Sequence, residues 1–299
     1  MAATTQRPKL LAIVGPTASG KSALALKVAQ EYNGEIITAD SLTIYKKMDI
    51  GTAKPTAAEQ KQVPHWGLNI VGPRQRFTAA EFKRYAEDRI KNIKDRGNLP
   101  ILAGGTGLYI DAVLFDFNFP PVPTGYDPGM RAKLEKLSID QLQRIVHDKG
   151  YPMPRNEKNR RHLVGIIERG GRSGSKTSAM PRDVLVVGIL PDNEVLKRRI
   201  DQRVEKMFKA GLVRETKGLL EQYGREAIIA KTKVAYGPVI EYLSGSVSLA
   251  EAKQRLKTAH WQYARRQRTW FKRNPHIKWF DSSEVVAEFI RTFLDGRTK

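Results

Sequence analysis

Nothing in this chain restricts its fold more than the run Val14-Gly15-Pro16-Thr17-Ala18-Ser19-Gly20-Lys21-Ser22. It carries the pattern G-x-x-x-x-G-K-S between an apolar stretch, Lys9 to Val14, and a segment of helical periodicity, Ser22 to Tyr32. Strand, loop and helix in that order form a phosphate cradle. The glycines let backbone N–H groups turn inward at phosphate oxygens, and the helix adds the positive end of its dipole. Lys21 supplies a point charge, and Ser22 a hydroxyl that would hold Mg²⁺ bridging two phosphates. Gly15, Thr17, Ala18, Ser19, Gly20, Lys21 and Ser22 are the expected phosphate-binding residues. Most such loops bind a nucleoside triphosphate such as ATP, which leaves open whose phosphates this one holds.

Further apolar runs at Glu35–Ala39, Leu99–Ala103 and Val184–Leu190 read as strands of parallel-sheet type, with His276–Phe280 as a short last strand. Between them the helical signals are plain. Thr78 and Glu81 form a capping box with a Phe77–Phe82 staple, so a helix starts near Ala79 and stops before Gly97. Later helices are expected near Glu194–Lys209 and Val213–Tyr223, and from the Ser248/Glu251 cap toward Phe271. Phe119-Pro120-Pro121-Val122-Pro123 opens a stretch with helical patterns at Met130–Leu137 and Arg160–Glu168 but no strand; Gly170–Ser175 leads out of it. The expected architecture is an α/β fold: a P-loop NTPase-like parallel sheet core flanked by helices, formed by residues 1–117 and 183–299, with an all-helical domain inserted at 118–182.

Charge suggests the partner. The 299 residues hold 52 Lys and Arg against 31 Asp and Glu, a net charge of +21. An excess this large favours a polyanion, with nucleic acid foremost, although a solubilising surface would also account for it. The distribution narrows the choice. The insertion alone carries 13 basic and 6 acidic residues, and Ala252–Arg273 has eight basic residues and no acid. "WQYARRQRTWFKR" interleaves cations with aromatics, as phosphate contact and base stacking require. Tyr263, Trp270 and Phe271 are assigned to the core, and Arg265, Arg266 and Arg268 to the RNA side. With no cysteine there is no disulfide, thiolate metal site or cysteine nucleophile. Leu10–Val14 is too short for a signal sequence or membrane span, so the chain is expected to stay in the cytoplasm with no membrane contact.

A kinase would add an acid at the end of another core strand to anchor Mg²⁺. Here the third strand ends in Ala103-Gly104-Gly105-Thr106-Gly107-Leu108-Tyr109 without a carboxylate. The suitable acid is Asp40, at the carboxyl end of the second strand, where open α/β sheets bind ligands. It can act as metal anchor or general base, or simply cap the segment that follows. His65, a lone histidine after a proline, reads as structural.

These pieces together resemble the tRNA dimethylallyltransferases (tRNA isopentenyltransferases). The resemblance is carried by "GPTASGKS" at 15–22, "ADSLTIYKKMDIGTAKP" at 39–55, "AGGTGLY" at 103–109, "RIDQRVEKMFKAGL" at 199–212 and "QYARRQRTWF" at 262–271. It implies a monomeric enzyme that uses Mg²⁺ and moves the prenyl group of dimethylallyl diphosphate to N6 of the adenine 3′ of the anticodon in tRNA. By the same resemblance the cradle holds the diphosphate, Asp40 is the base, Arg203 meets the leaving group and Thr106 lines the channel. Gly104, Gly105 and Gly107 would clear space around Thr106. Asp40, Ser41, Leu42 and Thr43 match the segment that meets the flipped adenine. Arg131 matches a tRNA-contacting arginine, and Arg160 and Arg161 would clamp phosphates along with Arg265 and Arg266.

The sequence departs from the family at three places: Ala235-Tyr236-Gly237-Pro238, Gly165 and His260-Trp261. They bear on tRNA recognition and leave the donor site intact. Two other enzyme readings remain. A small-molecule P-loop kinase would use the arginine-rich "ILPDNEVLKRRIDQRV" as a lid, and a prenyltransferase of free adenine nucleotides would not need the charged insertion. An RNA-binding module without activity leaves Asp40 beside a phosphate cradle unexplained.

Overall fold

The computed structural model describes residues 10–120, 128–177 and 183–295. Lys9, Pro121-Val122-Pro123 and Arg182, which figure in the expectations above, lie outside the described residues. The Cα positions divide the chain into two compact units, one of residues 1–114 with 180–299 and one of residues 115–179.

The first unit is built on one sheet of six strands: β1 (Leu10–Val14), β2 (Gly34–Thr38), β3 (His65–Trp66), β4 (Leu99–Gly104), β5 (Val184–Ile189) and β6 (Lys278–Phe280). Their order is β3-β2-β4-β1-β5-β6 and every pairing is parallel. β1 and β4 are buried at every position. This is why they read as continuous apolar runs rather than alternating ones. The two-residue edge strand β3 has too few positions to show any periodicity, and the sequence reading passes over it.

Among the described residues, nine helices complete this unit: α1 (Lys21–Glu31), α2 (Ala57–Gln62), α3 (Ala79–Asp95), α4 (Gly107–Leu114), α8 (Asn193–Lys209), α9 (Leu212–Tyr223), α10 (Arg225–Leu243), α11 (Leu249–Phe271) and α12 (Ser283–Leu294). The capping boxes at Thr78/Glu81 and Ser248/Glu251 both form. Phe82 stacks on Tyr109, ring centroids 4.1 Å apart, while Phe77 packs with the cluster of Ile44, Tyr45 and Met48. α10 is not foreseen from sequence because Gly237 and Pro238 lie within it. The helix absorbs them with a kink at Thr232, whose φ of −125° is not helical.

One core lies between the sheet, α1 and α12, and joins Ile13, Leu24, Ile101, Val187 and Ile290. A second joins Ile44 and Met48 to Val204, Leu212, Tyr236 and Leu256 on α8–α11. Helix α8 buries Leu196, Ile200, Val204 and Met207. It is therefore a packed core helix, unlike the mobile lid that a kinase would need.

The second unit contains α5 (Pro128–Lys136), α6 (Ile139–Asp148) and α7 (Arg160–Glu168), packed around Leu134, Leu142, Val146, Leu163 and Ile166. One antiparallel bridge, Asn118 with Ser175, closes its two ends. Arg131 is committed inside this unit. Its Nε lies 2.8 Å from Glu135 and its Nη1 2.5 Å from the buried Glu168. Arg160 donates to the carbonyls of Glu135 and Leu137, the free end of α5, whereas Arg161 is exposed.

Because Arg131 neutralises a carboxylate that is almost fully buried, Arg131→Ala should cost about 2–3 kcal/mol, between the values for surface and buried pairs. Amide exchange across α5–α7 should accelerate accordingly, and unchanged exchange would show the pair to be ornamental.

Candidate active site

β4 lies between β1 and β2, and the three end level, with Val14 opposite Gly104 and Thr38 opposite Ala103. The segments that leave their carboxyl ends are therefore neighbours: the phosphate loop after β1, Asp40–Thr43 after β2 and Gly105–Thr106 after β4. A parallel sheet brings together here what the sequence separates by about ninety residues.

The phosphate loop has the required shape. Ala18 and Gly20 take positive φ, 63° and 102°, and Gly20 is the N-cap of α1. Ser19 is fully buried and its hydroxyl has no hydrogen-bond partner. Arg199 Nη1 donates to the Ser19 carbonyl at 3.0 Å, and Lys21 Nζ to the Pro16 carbonyl at 3.1 Å. Thr17 lends its side chain to the pocket but its N–H is taken, donating to Gln267 Oε1 at 2.8 Å.

A pocket of about 60 Å³ joins Thr17, Lys21, Ser22, Asp40, Thr43 and Arg203. It adjoins a wider cavity of about 810 Å³, which Lys21, Ser22 and Arg203 also line, joined there by Arg199. Arg203 is thus a wall of both, half-buried rather than spread on a solvated helix face. Asp40 caps the segment that follows it and also lines the pocket. One carboxylate oxygen accepts the Leu42 N–H at 2.9 Å, capping the turn, while the side chain faces the pocket. Thr106 Oγ1 accepts the Ser41 N–H at 2.9 Å and donates to Ser41 Oγ at 3.2 Å, locking the β4 loop to the β2 loop.

Burial shapes the charges. It pushes Asp40 above the ordinary carboxylate range, against the pull of the Leu42 N–H, Lys21 and Arg203. It pushes the Lys21 ammonium down to about 8, helped by Arg203 and opposed by Asp40. Arg203 is lowered by burial and supported by Asp40. One carboxylate therefore faces two cations, and the pocket has a net positive charge ready for an anion. Among the described residues no group of three or more His, Asp or Glu could hold a metal ion. The Ser22 hydroxyl and the Asp40 carboxylate line the pocket with Lys21, hard oxygen ligands of the kind Mg²⁺ takes when it keeps its waters and leans on a substrate's phosphates.

Three features escape the sequence reading. His65 lines the same pocket while its Nδ1 lies 2.8 Å from the Val63 carbonyl. Glu215 ties down the loop after Met48: its carboxylate accepts the N–H groups of Asp49, Ile50 and Gly51 at 2.8–3.0 Å and the Tyr236 hydroxyl at 2.8 Å. The glycines of 104–107 also make room for neighbours that the sequence does not name. A Cβ on Gly104 would meet the Ala39 carbonyl, one on Gly105 the Gln267 amide and one on Gly107 the Trp270 ring. On α11, Phe271 is buried, Trp270 donates to Asp111 at 2.7 Å, and Arg265 and Arg266 are exposed while Arg268 bonds Asn193.

A family model described as IPP transferase matches residues 43–274. The chain belongs to the IPP transferase family. A tRNA dimethylallyltransferase of Carboxydothermus hydrogenoformans is 40% identical to it, over 94% of each chain. One of Bacillus cytotoxicus is 37% identical over 98% of this chain and 96% of its own. The crystal structure of the full-length tRNA isopentenylpyrophosphate transferase of Bacillus halodurans superposes with a TM-score of 0.72 at 33% identity, covering 97% of this chain and 98% of that one. As an IPP transferase the chain is a prenyl-transferring enzyme, and the kinase reading is not favoured. No helix among its described residues is long and apolar enough to cross a membrane.

Removing the Glu215 carboxylate frees three backbone donors and a phenol. Glu215→Ala should cost about 2 kcal/mol in urea denaturation, given its partial exposure, and raise the KM for the diphosphate substrate, since Asp49, Ile50 and Ala53 line the wider cavity. An unchanged KM would detach this loop from donor binding.

Proposed function

We propose that this chain is a tRNA dimethylallyltransferase, moving the dimethylallyl group of dimethylallyl diphosphate to the exocyclic N6 of the adenine 3′ of the anticodon. What supports the reading most directly is one pocket lined at once by Lys21, Ser22, Arg203 and Asp40. An amine acceptor and a diphosphate leaving group need those charges side by side.

In the reaction the N6–C1 bond forms as the C1–O bond to the diphosphate breaks. The bonding electrons leave with the diphosphate oxygen, and the N6 proton passes to Asp40. A carboxylate held above its ordinary range is a better proton acceptor for a weakly basic aryl amine. Lys21, Arg203 and the N–H groups around Gly20 meet the charge that grows on the departing oxygens. Thr106 holds the Asp40–Ser41 turn from the β4 side. Mg²⁺, held through the Ser22 hydroxyl and the substrate's own oxygens, would add to the neutralisation of that charge.

The acceptor base must leave its stack to reach such a pocket, and Asp40–Thr43 lies where it would arrive. Exposed Arg161, Arg265 and Arg266 suit phosphate contacts that weaken with salt. Arg131 and Arg160 would contribute by holding the helical unit in shape as much as by touching RNA. The reading carries with it a monomeric enzyme that works in the cytoplasm, where a tRNA substrate would be met.

The direct test incubates unmodified tRNA with Mg²⁺ and dimethylallyl diphosphate and looks by mass spectrometry for a C5H8 addition to adenosine. Asp40→Asn should lower the transfer rate by about 10²–10⁴ while tRNA binding persists. Substantial remaining turnover would remove Asp40 as base. The pH profile follows from the same pocket. Asp40 must be ionised, and its raised pKa brings the acid limb above that of an ordinary aspartate. Lys21 must be charged, so kcat/KM for the diphosphate should fall as pH rises through about 8. A profile flat to pH 10 would exclude Lys21 as the controlling cation.

A further inference from the structure

We propose that Gln267 is a positioning residue that sets the spacing between the phosphate loop and the Thr106–Asp40 side of the pocket; the role rests on the prenyl-transfer reading above. Gln267 lies on α11 and is 5% exposed. Its Oε1 accepts the Thr17 N–H at 2.8 Å and its Nε2 donates to the Gly105 carbonyl at 2.9 Å. One amide thus spans the two loops that leave β1 and β4. The orientation of the amide is dictated by its partners. Turned over, it would set NH₂ against an N–H and C=O against a C=O, and both bonds would be lost.

Two neighbours show that the chain is shaped around this side chain. A Cβ on Gly105 would lie 2.2 Å from Gln267 Nε2, and the backbone of Gly105 is outside the left-handed region, so what the position needs is room. Tyr263, one turn earlier on α11, lies beside both Thr106 and Gln267. Thr106 in turn holds Ser41, next to Asp40. A connected path therefore runs from Thr17 in the phosphate loop through Gln267 to Gly105, Thr106, Ser41 and the base.

Neither end of this path needs Gln267 to bind its own ligand. Lys21, Ser22 and Arg203 remain for the diphosphate, and Asp40–Thr43 for the acceptor. What Gln267 fixes is the distance between them, and a reaction in which two bound groups must meet is sensitive to displacements of about 1 Å.

Gln267→Met keeps the length of the side chain and removes both polar atoms. The single-turnover rate with both substrates bound should fall at least thirtyfold. The Kd of dimethylallyl diphosphate alone and of tRNA alone should each stay within threefold. Amide exchange should accelerate tenfold or more in peptides covering both 15–20 and 103–109. A rate loss that tracks either Kd, an unchanged rate, or faster exchange in one loop only would overturn the proposal.

Should Gln267→Met fold poorly, Gln267→Glu serves instead. It keeps the acceptor for Thr17 and loses the donor to Gly105, so exchange should rise at 103–109 alone, with a similar loss of rate; protection of both loops would count against the bridge. A double-mutant cycle checks the contact itself. Gly105→Ala should slow transfer strongly in the wild type and hardly at all in a Gln267→Ala background, whereas multiplying effects would separate the two residues. Absence of transfer by the wild type would refute the prenyl-transfer function, and the exchange data would still decide whether the bridge exists.

Discussion

The whole site depends on the level ending of three adjacent parallel strands. Because β4 runs between β1 and β2 in register, the phosphate loop, the Gly105–Thr106 turn and Asp40 leave the sheet at one height. No loop needs to be long to reach the others. The buried positions of β1 and β4 fix that register, since a slip of one residue would exchange the faces on which Ile13 and Ile101 are buried. Apolar packing beneath the site thus determines where its charges meet.

Those charges are held at a cost. Lys21 and Arg203 are both disfavoured by burial, and Asp40, buried with them, answers only one positive charge. The residual positive field is the condition for binding a diphosphate tightly, and it is present before the ligand arrives. The same arrangement suits the role of base proposed for Asp40. An aspartate at its ordinary pKa has little affinity for a proton from an aryl amine, and desolvation increases that affinity while Lys21 and Arg203 oppose the increase.

Much of this could be read from the chain because the signals are local. The phosphate loop follows a strand and precedes a helix, and both capping boxes name the start of a helix within four residues. Asp40 could be placed at a strand end because Glu35–Ala39 is apolar and short. What sequence could not supply are contacts made across long separations. Gln267 meets Thr17 across 250 positions and Gly105 across 162. Inside "QYARRQRTWF" it looks like one more polar residue on a basic helix. The groups that the glycines of 104–107 make room for are hidden for the same reason, since they arrive from α11 and from the backbone of Ala39. His65 carries no local signal either, because its place in the pocket follows from the short edge strand β3, which has no period to detect.

The departures from the family pattern take on physical meaning in this light. Tyr236 faces inward, fully buried, with its hydroxyl on Glu215, so the substitutions around it alter a helix that braces the loop after Met48. Pro238 and the kink at Thr232 bend α10 while that bond is kept. His260 lies 6% exposed with an unpartnered Nδ1, and burial together with Arg203 pushes its pKa down to about 3. It is therefore neutral near pH 7 and adds no charge to compete with Arg203 for the diphosphate. At Gly165 the Arg169 guanidinium lies 2.9 Å from where a Cβ would be, so a cation occupies the space that a side chain at 165 would claim. Each departure leaves the charge balance of the donor pocket unaltered. Variation is thus tolerated where it bends a support or relocates a cation, and the three strand ends that assemble the chemistry are untouched by it.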